Sequence, residues 1–184
     1  MSPQGHETLE RQAIFEGKVL RLYLDKVRLP NGMEAEREVV LHRGAVAMVA
    51  LDEDDGVFLV RQYRHAPAAD LVEIPAGKLA EGEDPGQCAR RELMEEIGYD
   101  AADWIRLASF YTSPGFSDEM LHLYLARDLR PAEAEADEDE FLEIIHVPLV
   151  EAISMVSRGE IQDAKTVAGL ALAALFLEGK YERA

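Results

Sequence analysis

The sequence predicts an α/β protein, a mixed sheet with helices on it, preceded by an all-β extension. Three observations carry this. Apolar and polar residues alternate through residues 9–29, as strands require. A helix with start and stop signals at both ends follows in the middle of the chain. The C-terminal third then alternates a short strand with two helical segments, and strands with helices at intervals imply a layered α/β sandwich. The chain of 184 residues is long enough for a real core. We divide it into an N-terminal β extension, 1–42, and a main domain, 43–184.

The elements follow in order. Val19 and Arg21, against Leu20, Leu22 and Leu24, show the alternation in the extension. Pro30-Asn31-Gly32 is a turn signal, so a hairpin forms between 24–27 and 38–41. Residues 45–51 and 57–61 are strands joined by the acidic turn 52–56, and 71–74 is another. Asp84 is a good N-cap, Pro85 suits the first helical position and Gly98 is a natural stop, so a helix runs from about Pro85 to Ile97. Its apolar residues Ala89, Leu93 and Ile97 recur at i, i+4, i+8 and can bury against a sheet. Residues 104–111 and 120–126 form a strand pair around the loop 112–118. After the intensely acidic stretch 131–143 comes a short strand, 144–147. Pro148 then opens a helix that Gly159 closes. A last helix starts near Ala164, with Asp163 as its cap and Gly179 as its stop.

Composition narrows the function. The formal charge of −17 disfavours a nucleic-acid binder, which relies on clustered Lys and Arg, but not a small phosphorylated substrate carried with metal. Cys88 is the single cysteine, which excludes a disulfide framework within the chain and suits a reducing compartment. It sits among small residues of the helix and reads as packing. The N-terminal residues lack the basic start and apolar core of a signal peptide, and the apolar stretch 166–177 is too short for a membrane span. We therefore expect a cytoplasmic protein with no membrane and no nucleic-acid partner. His6, His42, His65, His122 and His146 show no metal-ligand spacing and read as incidental.

The most informative residues are Glu92, Glu95 and Glu96, with Glu83 upstream. At about 100° per residue the first three share one stripe of the helix. Two such charges about 6 Å apart repel by roughly 3 kcal/mol near a surface. Arg90 and Arg91 are not systematically interleaved with them at i,i+4. A solvated acidic face is one reading. The other is a hard divalent cation, which reverses the repulsion and bridges carboxylates to phosphates.

Over residues 77–99 the full string resembles the Nudix box: Gly, five residues, Glu, seven residues, Arg-Glu, an aliphatic, any residue, Glu-Glu, any residue, Gly. Gly77, Glu83, Arg91, Glu92, Leu93, Glu95, Glu96 and Gly98 all match. Tyr99 departs softly, standing where the family prefers an aliphatic residue. Outside the box, Pro114 lies 16 residues after Gly98. This offset resembles the ADP-ribose pyrophosphatase subfamily. So do Val60-Arg61-Gln62-Tyr63-Arg64, Glu73-Ile74-Pro75-Ala76-Gly77, the acidic run 136–140 and the β extension. The fold implied is the Nudix α/β/α sandwich.

The resemblance also implies roles. Glu92 and Glu96 are the main Mg²⁺ ligands, joined by the Ala76 carbonyl and by Glu140. Glu138 is the general base, with Glu140 as the alternative. Glu95, Arg91 and Glu83 complete the catalytic set, Arg91 by holding the carboxylates and Glu83 by joining through water or orienting them. By composition alone the run from Glu133 to Glu143 reads as a solvated acidic loop, and the resemblance reverses that for Glu138 and Glu140 only. Arg64 grips the pyrophosphate, although a plain surface charge at a strand end is the alternative. Ser113, Pro114 and Gly115 form a substrate loop or an ordinary turn. Arg37 and Glu38 contact the nucleoside from a partner subunit, since the implied assembly is a homodimer with exchanged N-terminal strands. Two or three Mg²⁺ ions, for which Mn²⁺ can substitute, activate water. ADP-ribose then gives AMP and ribose 5-phosphate. The alternatives are another nucleoside diphosphate sugar such as GDP-mannose, a dinucleoside polyphosphate, or a sensor that binds ADP-ribose without cleaving it.

Overall fold

The computed structural model describes residues 5–133 and 141–181. The chain forms two compact units, 1–44 with 110–121, and 45–109 with 122–184.

The first unit is built on a three-stranded antiparallel sheet. Its strands β1 (Glu7–Glu16), β2 (Leu20–Arg28) and β3 (Glu34–His42) lie in sequence order. The turn between β2 and β3 closes through the Leu29 amide on the Met33 carbonyl, with Gly32 at φ 84°, a value that suits glycine. Asp25, nearly fully buried, receives a bidentate pair from Arg11 at 2.8 and 2.6 Å. The segment 110–121 joins β3 through a parallel bridge, Val40 with Ser117. The Asp118 carboxylate accepts the His42 amide at 2.7 Å.

The second unit holds a seven-stranded mixed sheet. Strands β4 (Ala45–Leu51), β5 (Gly56–Arg64), β6 (Ala69–Glu73) and β7 (Ala76–Lys78) precede helix α1 (Pro85–Ile97). Strands β8 (Tyr99–Tyr111), β9 (Met120–Pro131) and β10 (Glu143–Pro148) follow, then α2 (Leu149–Ser157) and α3 (Ala164–Leu177). The strand order is β10-β5-β4-β9-β8, with β6 paired to β5 and β7 to β4.

Strand β4 explains the layering. Val46, Met48 and Ala50 pack in one cluster with Cys88, Ala89, Leu93 and Ile97 of α1. Val49 points the other way, as alternation requires. There, a Cβ on Gly169 of α3 would stand 3.0 Å from Val49 and 2.8 Å from Ile74. A helix therefore covers each face of β4, which is why the strand reads as an apolar run without alternation.

The predicted helix α1 has its expected bounds, because its signals act locally. Asp84 accepts the Gly86 and Gln87 amides at 3.0 and 3.1 Å, and Gly98 ends the helix at φ 73°. Two expected strands are longer than predicted. β8 starts at Tyr99 rather than 104, because the left-handed turn at Gly98 sends the chain straight into the sheet. β9 runs on to Pro131 past the polar residues after Ala126. The short strand β7 was not predicted, since Ala76-Gly77-Lys78 carries no pattern.

Candidate active site

Burying Cys88, Ala89, Leu93 and Ile97 of α1 places the acidic stripe along the edge of the buried face, with Glu96 itself buried and Glu92, Glu95 and Arg91 half-buried beside it. Strand β7 pairs with β4, Ala76 opposite Ala47 and Gly77 opposite Val46, and so lies beside this helix. Glu96 is 5% exposed and accepts the Ala76 amide at 3.0 Å. A Cβ on Gly77 would fall 1.8 Å from Cδ of Glu92. The Glu92 carboxyl group thus rests directly on the Gly77 backbone. Two carboxylates one turn apart, 92 and 96, converge on Ala76–Gly77.

Arg91 organises the remaining acids. Its Nε donates to Glu83 at 3.1 Å, and Nη1 lies 2.7 Å from Glu92 and 2.8 Å from Glu95. The Arg91–Glu95 pair is an i,i+4 contact, so the helix face is better interleaved than the sequence reading allowed. The bond to Glu83, with Glu92 beyond it, raises the Arg91 pKa well above its ordinary value against the effect of burial. Glu83 in turn is held below the usual carboxylate range by Arg91 and by the Ala80 amide, which it accepts at 2.8 Å. Burial first, then Glu83 and Glu92, pushes the Cys88 thiol up to about 12, so it stays a protonated packing group.

The donor set fits a hard divalent cation. Glu83, Glu92, Glu95 and Glu96 offer carboxylate oxygens, the donor type a hard divalent cation takes. Among the described residues no three His, Cys, Asp or Glu side chains already stand together at metal-holding distance. Glu92 and Glu95 are turned to Arg91 instead. Glu95 and Glu96 open onto a cleft of about 650 Å³ lined also by Gly98, Ala132, Glu133 and Ile144. Glu138 and Glu140 lie outside the described residues.

The Gly77 contact gives a direct test. Gly77→Ala forces the Glu92 carboxylate off the backbone. We expect the metal concentration for half-maximal activity to rise by about tenfold or more, read from a Mg²⁺ titration of rate.

Arg64, at the end of β5, is not a free surface charge. Its Nε and Nη2 donate to the two oxygens of Glu73 at 2.9 and 2.7 Å. Glu73 is 1% exposed and also accepts Lys165 Nζ at 2.5 Å. Burial pushes the Glu73 carboxyl up, but Arg64 and Lys165 outweigh it and hold the group below its usual range. Lys165 lies 3.0 Å from Asp163, which caps α3 through the Thr166 amide, also at 3.0 Å. The sequence reading included Glu73 in a motif without giving it a role and missed Lys165. A carboxylate inside the apolar run Leu71–Pro75 was the available signal, since a charge there needs a partner.

Arg37, Glu38, Ser113, Pro114 and Gly115 belong to the first unit. Arg37 and Glu38 are exposed on β3, and Arg37 donates to the Glu36 carbonyl at 2.8 Å. Ser113 closes a turn by accepting the Phe116 and Ser117 amides at 3.1 and 2.9 Å, with Pro114 and Gly115 exposed at its tip. Several histidines carry structural contacts: His146 pairs with Asp52 at 2.7 Å and stacks on Phe58, His122 bonds Ser109 at 2.8 Å, and His42 accepts the Gly44 amide at 3.1 Å.

The sequence model of the NUDIX domain matches residues 41–170. The chain belongs to the Nudix family. A second family model, the nucleoside diphosphate sugar hydrolase N-terminal domain, matches residues 7–40 of this Nudix protein. It is 46% identical over 90% of its length, and 91% of the relative's, to a protein named ADP-ribose pyrophosphatase from Bacillus subtilis (strain 168). A methanol dehydrogenase activator from Bacillus methanolicus is 47% identical, covering 88% of each chain. A GDP-mannose pyrophosphatase from Citrobacter koseri is 35% identical over 67% of this chain and 69% of its own. Among solved structures, one described as an ADP compounds hydrolase matches with a TM-score of 0.86 at 25% identity, covering 98% of each chain.

Proposed function

We propose that this Nudix protein hydrolyses the pyrophosphate bond of ADP-ribose, with Mg²⁺, to AMP and ribose 5-phosphate. The observation that carries the reading is the convergence of Glu92 and Glu96 on Ala76–Gly77, in a chain this similar to proteins named ADP-ribose pyrophosphatase. The second reading, GDP-mannose or a related sugar nucleotide, is favoured by the GDP-mannose pyrophosphatases among the relatives.

In this reading Glu92, Glu96 and the Ala76 carbonyl hold the metal, with Glu140 as a further ligand. The bound metal supplies neutralisation of phosphate charge and a lowered pKa for the attacking water. Arg91 keeps the carboxylates from rotating away, which is orientation bought in advance of the reaction. Arg64 binds the pyrophosphate oxygens. Glu138 accepts the proton from water as its oxygen attacks the adenosyl phosphorus in line, and ribose 5-phosphate leaves. Arg37 and Glu38 recognise the nucleoside from the partner subunit, and Ser113–Gly115 borders the substrate. The exposed apolar side chains Ile14, Phe15, Val19 and Leu20 support a homodimer formed through the N-terminal sheet. A cytoplasmic setting accords with the single reduced cysteine. Among the described residues no helix is long and apolar enough to cross a membrane.

The test is a substrate panel of ADP-ribose, GDP-mannose, NADH and diadenosine polyphosphates, with and without Mg²⁺. We expect Mg²⁺-dependent AMP from ADP-ribose, with label from H₂¹⁸O in the AMP phosphate. Preferred turnover of GDP-mannose replaces the substrate and keeps the site. Binding of ADP-ribose without turnover under any metal makes the protein a sensor.

A further inference from the structure

We infer that Lys165, at the first turn of α3, is a positioning residue for the substrate's pyrophosphate, acting through Glu73 on Arg64. The inference rests on the reading of Arg64 as the pyrophosphate contact and deepens it.

The argument starts from Arg64. It ends strand β5, and its backbone pairs with Ala69 at the turn end of the β5–β6 hairpin. Glu73 pairs with Val60 instead, four residues earlier in β5. The Arg64 side chain therefore lies back along the hairpin to reach it. A strand-end arginine 38% exposed has many rotamers, and nothing in its own strand selects this one. The selection comes from Glu73. The bidentate fork makes guanidinium and carboxylate share a plane, so fixing one fixes the other. It engages Nε and Nη2 and leaves the Nη1 edge for a further acceptor. Glu96 contributes to the raised pKa of Arg64, after Glu73, which sets the guanidinium within electrostatic reach of the box.

Two oxygens of Glu73 are already satisfied by Arg64, so Lys165 is not needed to complete the pair. Its Nζ bonds the same Oε2 that receives Nη2. That second bond, from a different element, stops the carboxylate from turning about its stem with the arginine attached. Lys165 is itself held. Asp163 lies 3.0 Å from it and is fixed by the Thr166 amide and hydroxyl at 3.0 and 2.5 Å. Thr166 in turn accepts the Ile74 amide at 2.9 Å, next to Glu73. The restraint thus runs from the cap of α3 through Lys165 and Glu73 to the Arg64 fork. Docking of α3 does not depend on Lys165. The buried residues Thr166, Gly169, Leu170 and Ala173 provide it, while Lys165 remains 16% exposed.

The experiment compares wild type, Lys165→Met, Lys165→Arg, Arg64→Lys and the Lys165→Met/Arg64→Lys double variant. The readouts are kcat, KM and Tm on the panel substrate that wild type turns over best. We expect Lys165→Met to raise KM about tenfold with kcat within about threefold and Tm nearly unchanged, and Lys165→Arg to restore most of KM. In the Arg64→Lys background, where the fork is already lost, Lys165→Met should add less than about twofold. An unchanged KM in Lys165→Met overturns the inference. So does an effect fully additive with Arg64→Lys, or a loss of kcat and Tm together that Lys165→Arg does not repair. Failure of the underlying reading looks different. If Arg64→Lys alone leaves KM unchanged, Arg64 is not the pyrophosphate contact. If wild type cleaves nothing, the dissociation constant of α,β-methylene ADP-ribose, measured by calorimetry with Mg²⁺, replaces KM in the same comparison.

Discussion

Glu96→Gln lowers kcat by at least about a hundredfold at saturating Mg²⁺, which corresponds to roughly 2.7 kcal/mol of transition-state stabilisation. The fold stays intact. The amide oxygen of Gln accepts the Ala76 N–H in the place of Oε2, and the side chain has nearly the same volume in a site only 5% exposed. What is lost is the negative charge, and a neutral amide is a far poorer ligand for a hard cation. Activity and thermal unfolding, measured on the same preparation, separate the two effects. A kcat near wild type moves the metal off this face of α1 and sinks the site. A drop in Tm matching the lost activity makes Glu96 a structural acceptor only.

Glu73→Ala has the largest effect on stability, about 3 kcal/mol at neutral pH, read from the urea midpoint at constant m. The substitution removes the acceptor of three hydrogen bonds, from Arg64 Nε and Nη2 and Lys165 Nζ. Arg64 can turn to water, and Lys165 keeps Asp163, so the cost lies at the lower end for a broken buried pair. The pH dependence has a definite sign. The folded pKa of Glu73 is depressed below its ordinary 4.5, so the unfolded chain binds the proton more readily. Its contribution is fully present above that value and is lost as pH falls through the lower folded pKa. The gap between wild type and Glu73→Ala should therefore hold from neutrality to about pH 5 and narrow only in stronger acid. A gap that does not narrow below about pH 5 assigns the loss to packing rather than charge.

Local signals made α1 legible. Asp84, Pro85 and Gly98 act within a turn of the helix ends, so the bounds and the acidic stripe followed from the sequence. Family spacing then singled out the box residues, and the structure brings Glu83, Glu92 and Glu95 together on Arg91. Less was legible where the cause lies far along the chain. Strand β7 exists because β4 offers it a ladder, not because Ala76-Gly77-Lys78 favours extension. Glu73 and Lys165 are separated by 92 residues, and no periodicity links them. Likewise, nothing in residues 110–121 announces that they join the unit of the N-terminal sheet.

Thr166 has a consequence for any attempt to transplant the catalytic motif. The 77–99 string looks like a portable cassette, a loop and helix with its own caps. Yet the backbone that delivers the chain into it is tied at Ile74 to a hydroxyl 92 residues downstream. Grafted into another scaffold without a counterpart of α3, the cassette would keep its acids and its helix but not the tether that fixes its leading edge. A fragment of this protein ending before α3 would carry every residue of the motif and still be without that anchor.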